Sequence, residues 1–255
     1  MLVARGRSRP ALRRISRVTA SAPDLVFPAR PLPTVAVVGE TARFPVRRIF
    51  CVGRNYADHA KEMGVEVDRE APFYFLKDAG SIVASGATIP YPQGTKDFHH
   101  EMEFVVAIGA QAFQASVEHA LEAVYGYAAG LDMTRRDLQA KAKATAKPWD
   151  FGKNFENGAV IAPIVRKADF GAIGAQRIGL AVDGVLRQNS ALDDMVWSVP
   201  ELISHLSHFY RLAPGDLIYT GTPAGVGAVM PGNRIVGTID GLPSVELRIG
   251  PAETA

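Results

Sequence analysis

The stretch Glu101-Met102-Glu103-Phe104-Val105-Val106-Ala107-Ile108 decides what kind of fold this chain adopts. It reads as a strand, on which side chains at i and i+2 share a face. Glu101 and Glu103 therefore project together, while Met102 and Phe104 point to the other side. The apolar continuation from Val105 to Ile108 belongs in a core, so one end of a core strand carries two carboxylates. Two bare acids beside an apolar strand repel each other and lose solvation unless a cation or protons neutralise them. Taken alone, the pair reads rather as a solvated strand end, since most acidic pairs lie on the surface.

Further strands flank this one. Arg47 to Val52, Ala128 to Leu131, Ile178 to Val182, Leu217 to Tyr219, Arg234 to Ile239 and Val245 to Ile249 are apolar runs, and Gly and Pro punctuate the later ones. Helices are predicted over Asn55 to Met63, closed by Gly64, over Ser116 to Tyr125, and over Pro200 to Phe209. Thr134 can cap another, with Asp137 three residues on, running to Ala146. No βα unit repeats, which excludes a doubly wound sheet. The fold class is β-rich α+β.

With 255 residues and 47% hydrophobic content, the chain can bury a sizeable single core. No apolar run approaches the roughly 20 residues of a spanning helix, so a soluble, cytoplasmic protein without a membrane partner is expected. Cys51, the only cysteine, excludes internal disulfides and thiolate-cluster zinc, and its apolar surroundings suit a core thiol. Six arginines precede the first acid, Asp24. Without them the body holds 22 basic against 26 acidic residues, which argues against nucleic-acid binding. Residues 1–23 read as an Arg-rich, disordered, functionally silent head: a transit peptide, a basic arm or upstream sequence. Residues 24–45 form a Pro-rich extended segment, and 46–250 the catalytic domain.

Asp132 ends an apolar segment and precedes the capped helix, a place where strands deliver side chains to a site. Three carboxylates without cysteine favour a hard, oxygen-liking ion, Mg²⁺ or Mn²⁺ before Zn²⁺. His99 and His100 face oppositely on their strand, so at most one could point at the ion. Arg136 and Gln139 share a helix face near its N-terminus and suit an anion or a developing oxyanion; Arg135, Lys141 and Lys143 are assigned to a solvated face. His59 and Glu62, three apart, fit a general base with its orienting acid, or a chance surface pair. Gly53 and Gly64 flank that segment and could let it move as a lid. The Gly-rich run Tyr219 to Gly227 lacks the Lys-Ser/Thr of a phosphate loop; it reads as a tight turn offering backbone N–H groups and the Thr222 hydroxyl to a carboxylate.

In order along the chain, four runs resemble the fumarylacetoacetate hydrolase family. They are Cys51-Val52-Gly53-Arg54-Asn55-Tyr56-Ala57-Asp58-His59, His99-His100-Glu101-Met102-Glu103, Leu131-Asp132-Met133-Thr134-Arg135-Arg136-Asp137-Leu138-Gln139, and Thr220-Gly221-Thr222-Pro223. Pro148 to Lys153 and Val196 to Glu201 look like the branch that acts on fumarylpyruvate in aromatic degradation through gentisate. The resemblance implies a mostly β roll, usually dimeric, with Mg²⁺ or Mn²⁺ held by Glu101, Glu103 and Asp132. It implies His59 and Glu62 as a water-activating dyad on a lid. Lys153, Arg136 and Gln139 would polarise the reacting carbonyl, and Arg54, Lys77 and Thr222 would contact substrate. The implied reaction is hydrolysis of a carbon–carbon bond in an acylpyruvate, with fumarylpyruvate giving fumarate and pyruvate. The family often has Pro after the lysine equivalent to Lys77, where this chain has Asp78. A small hydroxyl residue often seen downstream of the Lys153 equivalent is also missing from Asn154 to Gly158. Oxaloacetate decarboxylation and isomerisation of an unsaturated 2-oxo acid are rivals on the same site. A non-enzymatic protein holding RNA or another anion with the basic head is a rival of another class.

Overall fold

The computed structural model describes residues 24–62, 64, 69 and 71–254. The predicted head, and most of the segment between Glu62 and Ala71, lie outside the described residues. Two units are distinguished, Met1–Pro31 and Leu32–Ala255. In the first, residues 24–31 are exposed and form neither helix nor strand. The second is strand-rich α+β with a few short helices.

Its largest sheet runs in the order Phe73–Lys77, Arg48–Gly53, Asp216–Tyr219, Met102–Ile108, Val124–Asp132, Ala159–Ile161 and Ile82–Ala84, with Val165–Arg166 added beside Val124–Asp132. The Met102–Ile108 strand is buried at every position, as its composition requires. Alternation then sorts its side chains. Phe104, Val106 and Ile108 join Tyr127, Ala129 and Leu131 in a core shared with Ile178, Leu180, Ile235 and Leu247 of a second, five-stranded sheet. Val105, Ala107, Cys51 and Leu217 face the opposite way, against Val35, Val37 and Phe44. The Thr34–Ala36 and Arg43–Pro45 hairpin, within the Pro-rich segment, thus closes the second core.

The same parity positions two of the acids. Glu103 pairs in register with Gly130, and Asp132 lies two residues beyond Gly130 on the same strand face. A Cβ at Gly130 would meet Val105 Cγ2 at 2.6 Å and Tyr219 Cε1 at 2.8 Å, so only glycine fits opposite Glu103.

Several predicted boundaries move. The Ser116–Tyr125 helix shrinks to Val117–Ala120 with a 3₁₀ turn at Leu121–Ala123. Val124 and Tyr125 instead start a strand, Val124 pairing with Ile108, because β-branched and aromatic side chains suit the pleated surface. Thr134 does not cap the next helix. It belongs to a short strand paired with His99, its hydroxyl donates to the Asp132 carbonyl at 3.1 Å, and the helix runs Arg136–Ala144. Asp137 instead accepts hydrogen bonds from Thr95 Oγ1 and the Lys96 and Leu138 amides. Among the described residues no helix is long and apolar enough to cross a membrane.

Candidate active site

Glu101, Glu103 and Asp132 come together at one end of the central strands, each offering an oxygen within 4.8 Å of the others. All three are buried. Their electrostatics differ. Burial disfavours the Glu101 carboxylate, but Lys153 and Arg136 outweigh it and hold its pKa well below the usual range. Glu103 is pushed the other way, by burial and by the charges of Asp132 and Glu101; its partner is the Gly221 N–H, at 2.9 Å. Asp132 Oδ1 is buried without an aligned hydrogen bond, although Lys77 Nζ lies 2.9 Å away. An acid that resists ionisation and a carboxylate oxygen lacking a directed donor are what a cation in this all-oxygen cluster would relieve. The residues fit a hard divalent ion.

Two lysines brace the cluster. Lys153 Nζ donates to Glu101 at 2.8 Å, Asp132 at 2.6 Å and Thr134 Oγ1 at 2.7 Å, which uses all three of its N–H bonds. Burial opposes its charge, but Asp132 and Glu101 prevail and raise its pKa. To polarise a substrate carbonyl, Lys153 would have to exchange one of these partners. Lys77, expected at the substrate, is instead sealed below the site. It lies beside Asp132 and donates to the Met133 carbonyl at 3.0 Å and to the Lys153 carbonyl. Its side chain is fully buried beneath Asp132 and does not line the pocket, so its place is structural.

Above the acids lies a pocket lined by His59, Arg136, Gln139, Thr222 and Arg54 among others. Arg136 donates to Glu101 and, at 2.6 Å, to Gln139 Oε1. That second bond fixes the amide, leaving Gln139 Nε2 as a donor for the pocket. His59 Nδ1 meets Glu62 Oε2 at 3.1 Å. With Nδ1–H donating to the acid, Nε2 is left as a proton acceptor. Neither His99 nor His100 joins the acids: His99 bonds Asp97, and His100, its pKa pushed down to about 4 by burial, bonds Gln188. Cys51 is buried behind the acids with its thiol pKa raised by burial, as a core thiol should be.

The Gly-rich turn does offer N–H groups to carboxylates, but to the protein's own. Gly221 N–H donates to Glu103, and Gly225 N–H to Glu62 at 3.1 to 3.2 Å. Both glycines have φ of +96°, and a Cβ at Gly225 would fall 2.0 Å from the Arg187 carbonyl. The turn therefore grips one metal-ligand candidate and the acid of the dyad together.

Lys143 and Gln188 are functional candidates that the sequence reading leaves out, and Arg135 is a residue that it misplaces. Lys143, assigned to a solvated face, lines the pocket and stands 5.2 Å from the Trp149 ring centroid. Its spacing gave a signal, because Arg136, Gln139 and Lys143 at i, i+3 and i+7 fall on one helix face. Arg135, assigned to the same solvated face, precedes the helix and stacks half-buried on Phe155, 4.3 Å from its centroid. The other omission is Gln188, on the unpredicted Val185–Ala191 strand. The two-residue Asp183-Gly184 turn, both with positive φ, is a hairpin signal that reveals this strand.

This arrangement, a buried carboxylate triad under a cationic pocket on a strand-rich fold, defines a metal-dependent enzyme class. Residues 48–250 match the fumarylacetoacetate (FAA) hydrolase C-terminal family model, and the chain belongs to the fumarylacetoacetate hydrolase family. It is 50% identical over 194 residues to a fumarylpyruvate hydrolase of a Ralstonia species, covering 75% of this chain and all of the relative. A mitochondrial oxaloacetate tautomerase of Arabidopsis thaliana is 42% identical over 202 residues, covering 79% and 90%. Among solved structures, fumarylpyruvate hydrolase from Pseudomonas aeruginosa, in complex with Mn²⁺ and pyruvate, superposes with a TM-score of 0.87 at 45% identity. That match covers 89% of this chain and all of the other.

Proposed function

We propose that this chain hydrolyses the carbon–carbon bond of an acylpyruvate, with fumarylpyruvate giving fumarate and pyruvate, as a step of aromatic degradation through gentisate. The observation that carries the reading is the His59–Glu62 pair beside a pocket floored by Glu101 and Glu103. The fumarylpyruvate hydrolase relatives support it. Glu101, Glu103 and Asp132 would hold Mg²⁺ or Mn²⁺, and the chemistry this supplies is neutralisation of charge at the 2-oxo acid end of the substrate.

The chain's own residues do the rest. His59 Nε2 takes a proton from water, while Glu62 fixes the ring through Nδ1 and is itself fixed by the Gly225 N–H. The resulting hydroxide adds to the distal ketone. Gln139 Nε2, oriented by Arg136, donates to the oxyanion, and the positive charge of Arg136 favours it. The bond to the central methylene then breaks, fumarate leaves from the acyl side, and the electron pair passes to the methylene carbon of the pyruvate fragment, which takes up the proton held on His59 Nε2.

The test is an assay of purified protein with Mg²⁺ or Mn²⁺ against fumarylpyruvate, acetylpyruvate and oxaloacetate. Acylpyruvate cleavage well above any oxaloacetate conversion supports the reading. Turnover of oxaloacetate alone would replace it with the tautomerase reading of the Arabidopsis relative.

A further inference from the structure

The Arg136–Ala144 helix carries a pocket-facing row beyond the residues used above. Lys143 sits seven residues after Arg136, which places its Cα about 10 Å further along the axis. Side chains on a helix lean toward its N-terminus, so the Lys143 side chain leans back toward Gln139. This agrees with its place in the pocket lining. The ring of Trp149 lies below the ammonium.

The pocket is polarised along its length. Its floor carries the lining acids, Glu101 and Glu103, and its wall is apolar, made by Val52, Phe75 and Trp149. Its outer part is cationic, with Arg54 beside Lys143. Among the described residues neither cation has a carboxylate within salt-bridge distance. Arg54 is exposed and lines the pocket from a left-handed backbone, φ 58°, and the next residue, Asn55, is buried and pinned by bonds to Thr220 and Trp197. Burial, then the charges of Arg54 and Arg136, push the Lys143 pKa down. Two neighbouring cations with no carboxylate partner among the described residues favour an incoming anion.

We infer that Lys143, with Arg54, binds a second carboxylate at the far end of the substrate, and so selects dicarboxylic acylpyruvates over monocarboxylic ones. The inference rests on the acylpyruvate reading. It adds a terminal anion, separated from the 2-oxo acid by an unsaturated carbon chain that the apolar wall accommodates. A monocarboxylic acyl group would leave both cations without a partner.

The experiment compares wild type, Lys143→Met and Lys143→Arg on fumarylpyruvate and on crotonylpyruvate, in which a methyl group replaces the distal carboxylate. Calorimetry of fumarate and crotonate binding to the same metal-loaded proteins gives a readout independent of turnover. A charge-assisted hydrogen bond lost on one substrate alone predicts a selectivity ratio in kcat/KM that falls about ten- to a hundredfold in Lys143→Met. The loss should lie mainly in KM, with partial recovery in Lys143→Arg, and the preference for fumarate over crotonate should fall in parallel. Unchanged selectivity in both measurements overturns the inference. Wild type that cleaves neither acylpyruvate, yet prefers fumarate through Lys143, would sink the proposed reaction and leave the anion site standing.

Discussion

Gln188 Nε2 donates to Thr222 Oγ1 at 2.8 Å. The same amide nitrogen donates to the Pro223 carbonyl at 2.8 Å, and Oε1 accepts from the Met102 N–H at 3.0 Å and from His100 Nδ1 at 3.1 Å. Because Met102 N–H can only donate and the Pro223 carbonyl can only accept, the amide has one possible orientation. Thr222 Oγ1 is therefore an acceptor toward Gln188, and its own O–H is free to donate into the pocket it lines. A residue of the five-stranded sheet thus couples the Gly-rich turn to the backbone between Glu101 and Glu103.

Replacing Gln188 tests this coupling. Gln188→Ala leaves several buried polar groups without partners, at about 1–3 kcal/mol each, so the melting temperature should fall by several degrees. Gln188→Glu keeps the bond to Met102 but presents an acceptor to Thr222, turning its hydroxyl away from the pocket. KM for a carboxylate substrate should rise more than kcat falls. An unchanged KM in a folded Gln188→Glu variant would show that the Thr222 hydroxyl does not meet the substrate.

Divalent ions should stabilise the fold through the triad. Ligand at about 100 times its Kd adds about 2.7 kcal/mol, so Mg²⁺ or Mn²⁺ should raise the melting temperature measurably. Glu103→Gln keeps an oxygen for the Gly221 N–H and should fold, but lose most of that response. Chelation should abolish turnover in wild type, and either ion should restore it. A full thermal response in Glu103→Gln would remove Glu103 from the ligand set.

His59→Ala should lower kcat for an acylpyruvate by about 10² to 10⁴ while leaving ion binding intact. Conversion of oxaloacetate needs no attacking water, and any such side activity should be spared. Steady-state rates on both substrates, with metal content measured in each protein, check this. Equal losses on the two substrates would return His59 and Glu62 to the status of a helix-surface pair.

Acid should loosen the Val199–Phe209 helix through Glu201. Its carboxylate accepts from the Ser198 hydroxyl and amide and from Arg69. The Ser198 hydroxyl does most to lower its pKa, which the amide and Arg69 lower further against a smaller opposing effect of burial. A carboxyl group depressed in the folded state stabilises it above the ordinary carboxylate range, and that contribution disappears as pH falls through the folded value. Melting temperature against pH should therefore drop less steeply below that range in Glu201→Gln than in wild type. Identical slopes would mean that the capping contact carries no pH dependence.

Gly225→Ala should be among the most damaging single changes on the surface of the site. The new Cβ would overlap the Arg187 carbonyl in a backbone conformation that disfavours L side chains. Displacing the turn releases Glu62 from the Gly225 N–H, so kcat should fall along with the melting temperature. A variant with wild-type kcat would show that the turn does not hold the dyad.

What the sequence determined by itself was set by local periodicity and chemistry. Alternation along Glu101 to Ile108 put two acids on one face and apolar side chains on the other, and helical spacing joined Arg136 to Gln139 and His59 to Glu62. These relations depend on backbone geometry over a few residues, so no partner was needed to read them. The strand-rich class followed from the same runs. Only the tertiary structure decided the relations between distant segments. That Lys77 is sealed beneath Asp132 and Lys143 lines the pocket depends on how a helix and an edge strand pack, because both are lysines beside apolar residues in the sequence. Gln188 lies 86 residues from Met102 and 34 from Thr222. Its role exists only because strand pairing brings three remote segments together around one buried amide, whose every polar atom must then find a partner.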